Sequence, residues 1–192
     1  MAWTAALTRR RVRALSWTLA GAFTATVALA VLGYPLYVAP PVDEVTDADL
    51  IYVIGPPKPE RIAVERALRE GGVADLSLYS VGLLGIYTAD TLEVCDEPDV
   101  FCVHPRPFTT KGEIAYLEGF AEDHDVERTI VLTFTPHVLR TRYILDKCYD
   151  GDATVMAVEQ ELNLGDWIYQ YAYQSTALVK AWATPCAELR TD

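Results

Sequence analysis

Positive charge is scarce in this chain: 16 lysines and arginines stand against 27 carboxylates, with three histidines and a formal net charge of −11. Four of the arginines (Arg9, Arg10, Arg11 and Arg13) crowd the N-terminus, so the remainder carries about −15 and only twelve basic residues. That balance excludes nucleic acid as a partner, because such binding is dominated by neutralising phosphates. Familiar catalytic signatures are missing as well. There is no G-x-S-x-G elbow and no Walker loop, and Gly55-Pro56-Pro57 cannot form a G-x-G-x-x-G dinucleotide turn. The four cysteines include no C-x-x-C pair and no zinc-ligand spacing. His104 and His137 could share a metal with Glu113, but three histidines without recognised spacing weigh against it, and the sequence leaves any cofactor open.

One long apolar run is present. Residues 14–38 carry no charge and, at about 1.5 Å per residue, are long enough to cross a hydrocarbon core of about 30 Å. The basic cluster before the run and the acidic chain after it predict a cytoplasmic segment 1–13, a plasma-membrane signal anchor 14–38, a stiff spacer 39–48 and an extracytoplasmic domain 49–192. A cleaved signal peptide is the competing reading, with Ala28-Leu29-Ala30 as its site. The run continues to Val38, longer than a usual signal core, which favours a retained single-pass anchor. In an oxidising compartment four cysteines read as two disulfides, against the alternative of four buried thiols. Of three possible connectivities, Cys95 with Cys102 and Cys148 with Cys186 are favoured because each pair is local in the fold predicted next.

Strand and helix patterns alternate after the spacer. Leu50–Ile54 is a continuous apolar run of the kind buried on both faces of a parallel sheet. A helix from Pro59 to Glu70 stops at Gly71-Gly72. Further strands are expected at Leu76–Tyr79, Val100–Val103, Thr129–Leu132 and Ala153–Val158. Helices are expected from Thr110, over His137–Cys148 and over Gly165–Ala183, the last presenting Trp167, Tyr171, Leu178 and Trp182 along one face. This order predicts a three-layer Rossmann-like α/β domain with a parallel sheet of about five strands, preceded by one transmembrane helix.

Ligands of such sheets bind beyond the carboxyl ends of the strands. The segments there bring together Gly55, Lys58 and Arg61, then His104, Arg106, Thr109, Thr110, Lys111 and Glu113, then Thr135, His137, Arg140 and Arg142. About half of the remaining basic residues thus fall at one edge of an acidic domain, which predicts an anionic, phosphate-bearing ligand. Thr133-Phe134-Thr135-Pro136-His137 carries the sharpest signal, with Thr135 as an N-cap, Pro136 at the first helical position, and His137 and Arg140 on one face. On this reading Arg61, Arg140 and the helix start at Thr135 hold the anion, and His137 and Glu113 orient it or move protons. Blander roles exist for each. Thr110 and Glu113 have the spacing of a capping box, and Arg61 could pair with Glu60, Glu65 or Glu70 on a solvated face. His137 could be a polar first-turn residue, His104 a strand-end residue, and His124 solvated surface at the opposite edge.

Asp49-Leu-Ile-Tyr-Val-Ile-Gly55, Arg61, Ser80-x-Gly82, Thr110-x-x-Glu113 and Thr133-x-x-x-His137-x-x-Arg140 together resemble the YdcF/SanA/ElyC-like domain over about residues 48–162. The resemblance implies a Rossmann-like fold, an N-terminal anchor, a place in bacterial cell-envelope or peptidoglycan-related processes, and Ser80 as a further ligand-binding residue. It names no reaction. Two turns depart from the family pattern, Gly55-Pro56-Pro57 and Ser80-Val81-Gly82, and with fewer glycines each allows a phosphate less close an approach to the backbone. Phosphoester or pyrophosphate hydrolysis or transfer, acting on a precursor or lipid carrier, and non-catalytic binding or structural support of the envelope are the two classes left open.

Overall fold

A computed structural model describes residues 2–41, 43 and 47–188, with side chains from residue 13 onward. The side chains of Arg9, Arg10 and Arg11 and spacer positions 42 and 44–46 lie outside the described residues. The chain opens with helix α1 (Ala2–Gly33), which passes into a wider π turn at Tyr34–Val38. Residues Arg13–Val38 form a helix long and apolar enough to cross a membrane.

The domain consists of β1 (Leu50–Val53), α2 (Pro59–Glu70), β2 (Leu76–Ser80), β3 (Val100–Val103), α3 (Thr110–Asp123), β4 (Arg128–Phe134), α4 (Val138–Cys148), β5 (Asp152–Val158) and α5 (Leu164–Ala183). Its five strands are all parallel, in the order β3-β2-β1-β4-β5, with helices on both faces. Side chains of β1 alternate between the two cores as the pleat requires. Leu50 and Tyr52, with Ile54 just beyond, join Ile114, Leu117 and Ile144 of α3 and α4. Ile51 and Val53 join the face covered by Ile62, Val64 and Leu68 of α2. Full burial on both sides explains why β1 reads as an unbroken apolar run.

The strand order reverses beside β1. The chain goes outward from β1 to β2 and β3, then crosses back to place β4 on the other flank of β1. Parallel sheets of this kind bind ligands at such a switch point, here the carboxyl ends of β1 and β4, where the connecting segments diverge to opposite faces.

Polar bonds complete the packing. Glu65, fully buried on the inward face of α2, accepts from the hydroxyls of Ser77 and Tyr79 and, at 3.0 Å, from Arg69 Nε. Arg66 and Arg69 both reach Glu97 in the segment between β2 and β3. That segment is stapled to the sheet by the disulfide Cys95–Cys102, and a second, Cys148–Cys186, joins the end of α4 to the chain after α5. The inward face of α5 differs from the expected one: Gln174 and Ala181 are its buried residues, Trp167, Tyr171 and Leu178 are half-buried, and Trp182 points outward.

The end of α1 packs on α5. Tyr37 is buried, its hydroxyl 2.7 Å from Ser175 Oγ and its ring 5.2 Å from that of Tyr171. Tyr171 in turn donates to the Ala30 carbonyl at 3.2 Å. Gly33 is required at this contact, because a Cβ there would lie 2.2 Å from the Tyr171 ring. The π turn also packs against the segment that follows β4.

Candidate functional site

At the switch point two charged side chains approach the end of β1 from opposite faces. Glu113, in the first turn of α3, accepts from the Gly55 amide at 2.9 Å through Oε1. Arg61, in the first turn of α2, donates from Nη1 to the Ile54 carbonyl at 2.6 Å. Arg61 is only 2 % exposed, so the solvated ion pairs open to it in the sequence do not form. Its guanidinium lies 5.9 Å from the centroid of the Phe134 ring and its Nε has no hydrogen-bond partner in the protein. Burial pulls its pKa down to about 10, with the nearby Glu113 opposing that fall. The Arg remains a cation at any physiological pH.

Glu113 is therefore not half of a capping box. The cap of α3 is Thr109, one residue earlier than the Thr110 spacing suggested, and its side chain accepts from the Gly112 amide at 3.2 Å. This frees both Thr110 and Glu113 for the crevice. Burial raises the Glu113 pKa, while the Ser80 hydroxyl, the Gly55 amide and the Arg140 and Arg61 cations oppose the rise. A Cβ on Gly55 would sit 2.7 Å from the Ser80 carbonyl, so glycine is needed where β1 and β2 end side by side. The Gly55 N–H itself is taken up by Glu113 and is not offered to a ligand.

After β4 the chain makes a short 3-10 turn at Thr135–His137 before α4 begins at Val138. Phe134 holds the cap position there and no side chain caps the turn, so Thr135 is its first residue and not an N-cap. The turn places His137 beneath three hydrogen-bonding groups. Nδ1 is 2.8 Å from Thr133 Oγ1, and Nε2 is 2.6 Å from Arg140 Nη2 and 3.3 Å from Thr110 Oγ1. A guanidinium can only donate, so Nε2 accepts and the imidazole carries its proton on Nδ1, donating it to Thr133. At 4 % exposure, burial holds the His137 pKa well below the usual value, and the Arg140 and Arg61 charges add to the effect. His137 is neutral and orients Arg140.

Arg140 completes the cluster. Its guanidinium lies 5.3 Å from the centroid of the Tyr173 ring on α5, and its Nε, like that of Arg61, has no partner in the protein. The crevice thus combines two cations, one buried carboxylate and one neutral imidazole.

Comparison with known proteins adds no further assignment. No family model, curated protein or solved structure matches this chain.

The sequence, with the resemblance supplying Ser80, brought Gly55, Arg61, Ser80, Thr110, Glu113, Thr135, His137 and Arg140 to one edge; the structure brings all but Thr135 together there, and Thr135 begins the turn that carries His137. Other residues of that edge turn away. Lys111 donates to the Ala181, Thr184 and Pro185 carbonyls at the C-terminus of α5, where Lys147 joins it. Arg142 pairs with Asp43 at 2.7 Å. His104 sits 2.8 Å from the Val81 carbonyl and stacks on Phe108, so it shares no ligand set with His137 and Glu113. Among the described residues no group of three His, Cys, Asp or Glu side chains is placed to hold a metal. His124 lies at the far edge as expected, its ring stacked on Phe120. Thr133 stood in the motif without a role, and strand alternation places it on the α3/α4 face beneath His137; Tyr173 went unread, because its contact with Arg140 arises only from how α5 docks.

Proposed function

We propose that this protein is a single-pass membrane protein whose extracytoplasmic domain binds a phosphate-bearing anion, a precursor or lipid carrier, in cell-envelope or peptidoglycan-related processes. What carries the reading is the pair Arg61 and Arg140, two guanidiniums at one switch-point crevice whose buried Nε donors have no protein partner. A cation buried with an unused donor is costly unless an acceptor completes it, and phosphate oxygens match guanidinium geometry. The order of strand ends and side chains from Asp49 to Arg140 also supports kinship with the YdcF/SanA/ElyC-like domain. The apolar helix and the two disulfides fit an anchored domain in an oxidising compartment.

As a phosphoester or pyrophosphate hydrolase or transferase, the site would use Glu113 as proton carrier and the two arginines to stabilise charge on the transferring group. Non-catalytic binding is favoured by one observation: both His137 nitrogens are already engaged, so the imidazole positions Arg140 and offers no free base. Calorimetric titration of the full chain in detergent with pyrophosphate and with a short-chain polyprenyl phosphate tests the reading. Arg140→Gln should weaken binding about 10- to 150-fold, the equivalent of one lost charged hydrogen bond of about 1.5–3 kcal/mol. Equal affinity of wild type and variant for both probes refutes it. Phosphate release followed by 31P NMR separates the two classes, since only the enzyme shows turnover that Glu113→Gln abolishes.

A further inference from the structure

The carboxyl edge of the sheet carries, besides the crevice, a set of large apolar side chains that the fold leaves uncovered. The loop after β2 presents Leu83, Leu84 and Ile86, with Leu84 92 % exposed. At the other end of the sheet α5 begins with Leu164, 77 % exposed, followed one turn later by Ile168. In soluble surroundings such residues would be costly, at about 25 cal/mol per Å2 of apolar surface left in water.

Their position relative to α1 says what covers them. Leu164, Ile168, Tyr171 and Ser175 fall at helical spacing on one face of α5, and the last two are the residues that grip Ala30 and Tyr37 of the membrane helix. Leu164 lies about 10 Å along α5 beyond Tyr171, by the rise of seven residues, on the side of the carboxyl edge. The π turn of the anchor meets this same edge at the segment after β4. The anchor therefore enters the domain at the edge that carries the apolar collar. The opposite edge is of contrary chemistry, exposing Asp75, Asp99, Asp123, Asp125, Glu127 and Asp150.

We propose that Leu83, Leu84, Ile86, Leu164 and Ile168 seat the carboxyl edge of the sheet in the surface of the bilayer that α1 spans, so that the Arg61/Arg140 crevice opens at the level of the lipid phosphates. The seating rests on the anchored reading given above and narrows it: the anion reaches the site while borne on a lipid. Glu159 and Glu161 are exposed on the same rim, so the attachment is apolar and needs no anionic lipid.

Full-length protein in phosphatidylcholine bilayers, spin-labelled through an encoded ketone side chain at one position at a time, tests this by oxygen and nickel-chelate accessibility. Labels at 84 and 168 are expected about 5–10 Å below the phosphates, a label at 29 within the hydrocarbon, and a label at 125 in water. Positions 84 and 125 are exposed loop positions, and 168 and 29 are exposed on the outer surfaces of α5 and α1, so the labels displace no core side chain. Positions 84 and 168 as water-accessible as 125, with 29 in lipid, overturn the seating and leave the anchor standing. Position 29 in water overturns the anchor and the seating together.

Discussion

Acidification should destabilise the protein through His137, and the size of the effect follows from its burial. In the folded chain the imidazole is neutral, with a pKa held well below the usual value by burial and by the Arg140 and Arg61 charges. Unfolded, it titrates near about 6.5. Between the folded pKa and about 6.5 the unfolded state binds the extra proton, so stability is complete above that window and falls as pH drops through it. At pH about 5.5 the loss is on the order of 1 kcal/mol, or roughly 2–4 °C in melting temperature for a domain of this size. Glu113 faces the same crevice and works in the other direction. Its raised pKa lets the folded state take up a proton first, which adds stability as pH falls through the folded value towards about 4.5. The two are separated by measuring the difference between wild type and His137→Asn across a pH series, using near-ultraviolet dichroism of the full chain in nonionic detergent. That difference should shrink on acidification with the stated magnitude. His137 nitrogen shifts should report a neutral ring protonated on Nδ1 at pH about 6. Parallel melting curves for the two proteins, or an imidazolium at that pH, would refute the geometry assigned to Thr133, His137 and Arg140.

Two further outcomes test the frame around the site. Glu65→Leu strands the Ser77 and Tyr79 hydroxyls and one Arg69 contact in the core, and should cost about 3–5 kcal/mol in urea denaturation; a change within about 0.5 kcal/mol contradicts the buried network. Mass mapping without reductant should recover Cys95–Cys102 and Cys148–Cys186. Loss of the second, which closes a separation of 38 residues, should cost about 4 kcal/mol, against about 2.5 kcal/mol for the first with its separation of 7.

Local pattern revealed the elements well where one physical cause dominated. The unbroken run Leu50–Ile54 and the proline-started, glycine-stopped helix Pro59–Glu70 are found with those bounds or within a residue of them. Competition between neighbours was harder to read. Thr109 and Thr110 are adjacent candidates for one cap, and Thr109 takes it because the chain turns at Pro107, freeing Thr110 for His137. Arg61 and Glu65 had a solvated charged face of α2 as their alternative, yet both are buried, because the carbonyl that accepts from Arg61 ends β1 and the hydroxyls that donate to Glu65 belong to β2. Lys111 and Arg142 had the right charge at the right edge, but their partners, the end of α5 and Asp43, lie far off in sequence. Long-range docking of this kind also explains why Tyr173 left no sequence signal.

Helix α5 is restrained at its middle and at its C-terminus by different means. Its C-terminus is clasped by Lys111, Lys147 and the neighbouring Cys148–Cys186 link, and its middle is bonded to α1 through Tyr171 and Ser175. A rod pinned at two points cannot pivot, and Tyr173 projects from the pinned middle, between Tyr171 and Ser175, onto Arg140. The guanidinium is thereby referenced to a stiff strut, so a displacement of α1 carries strut and arginine with it as one body.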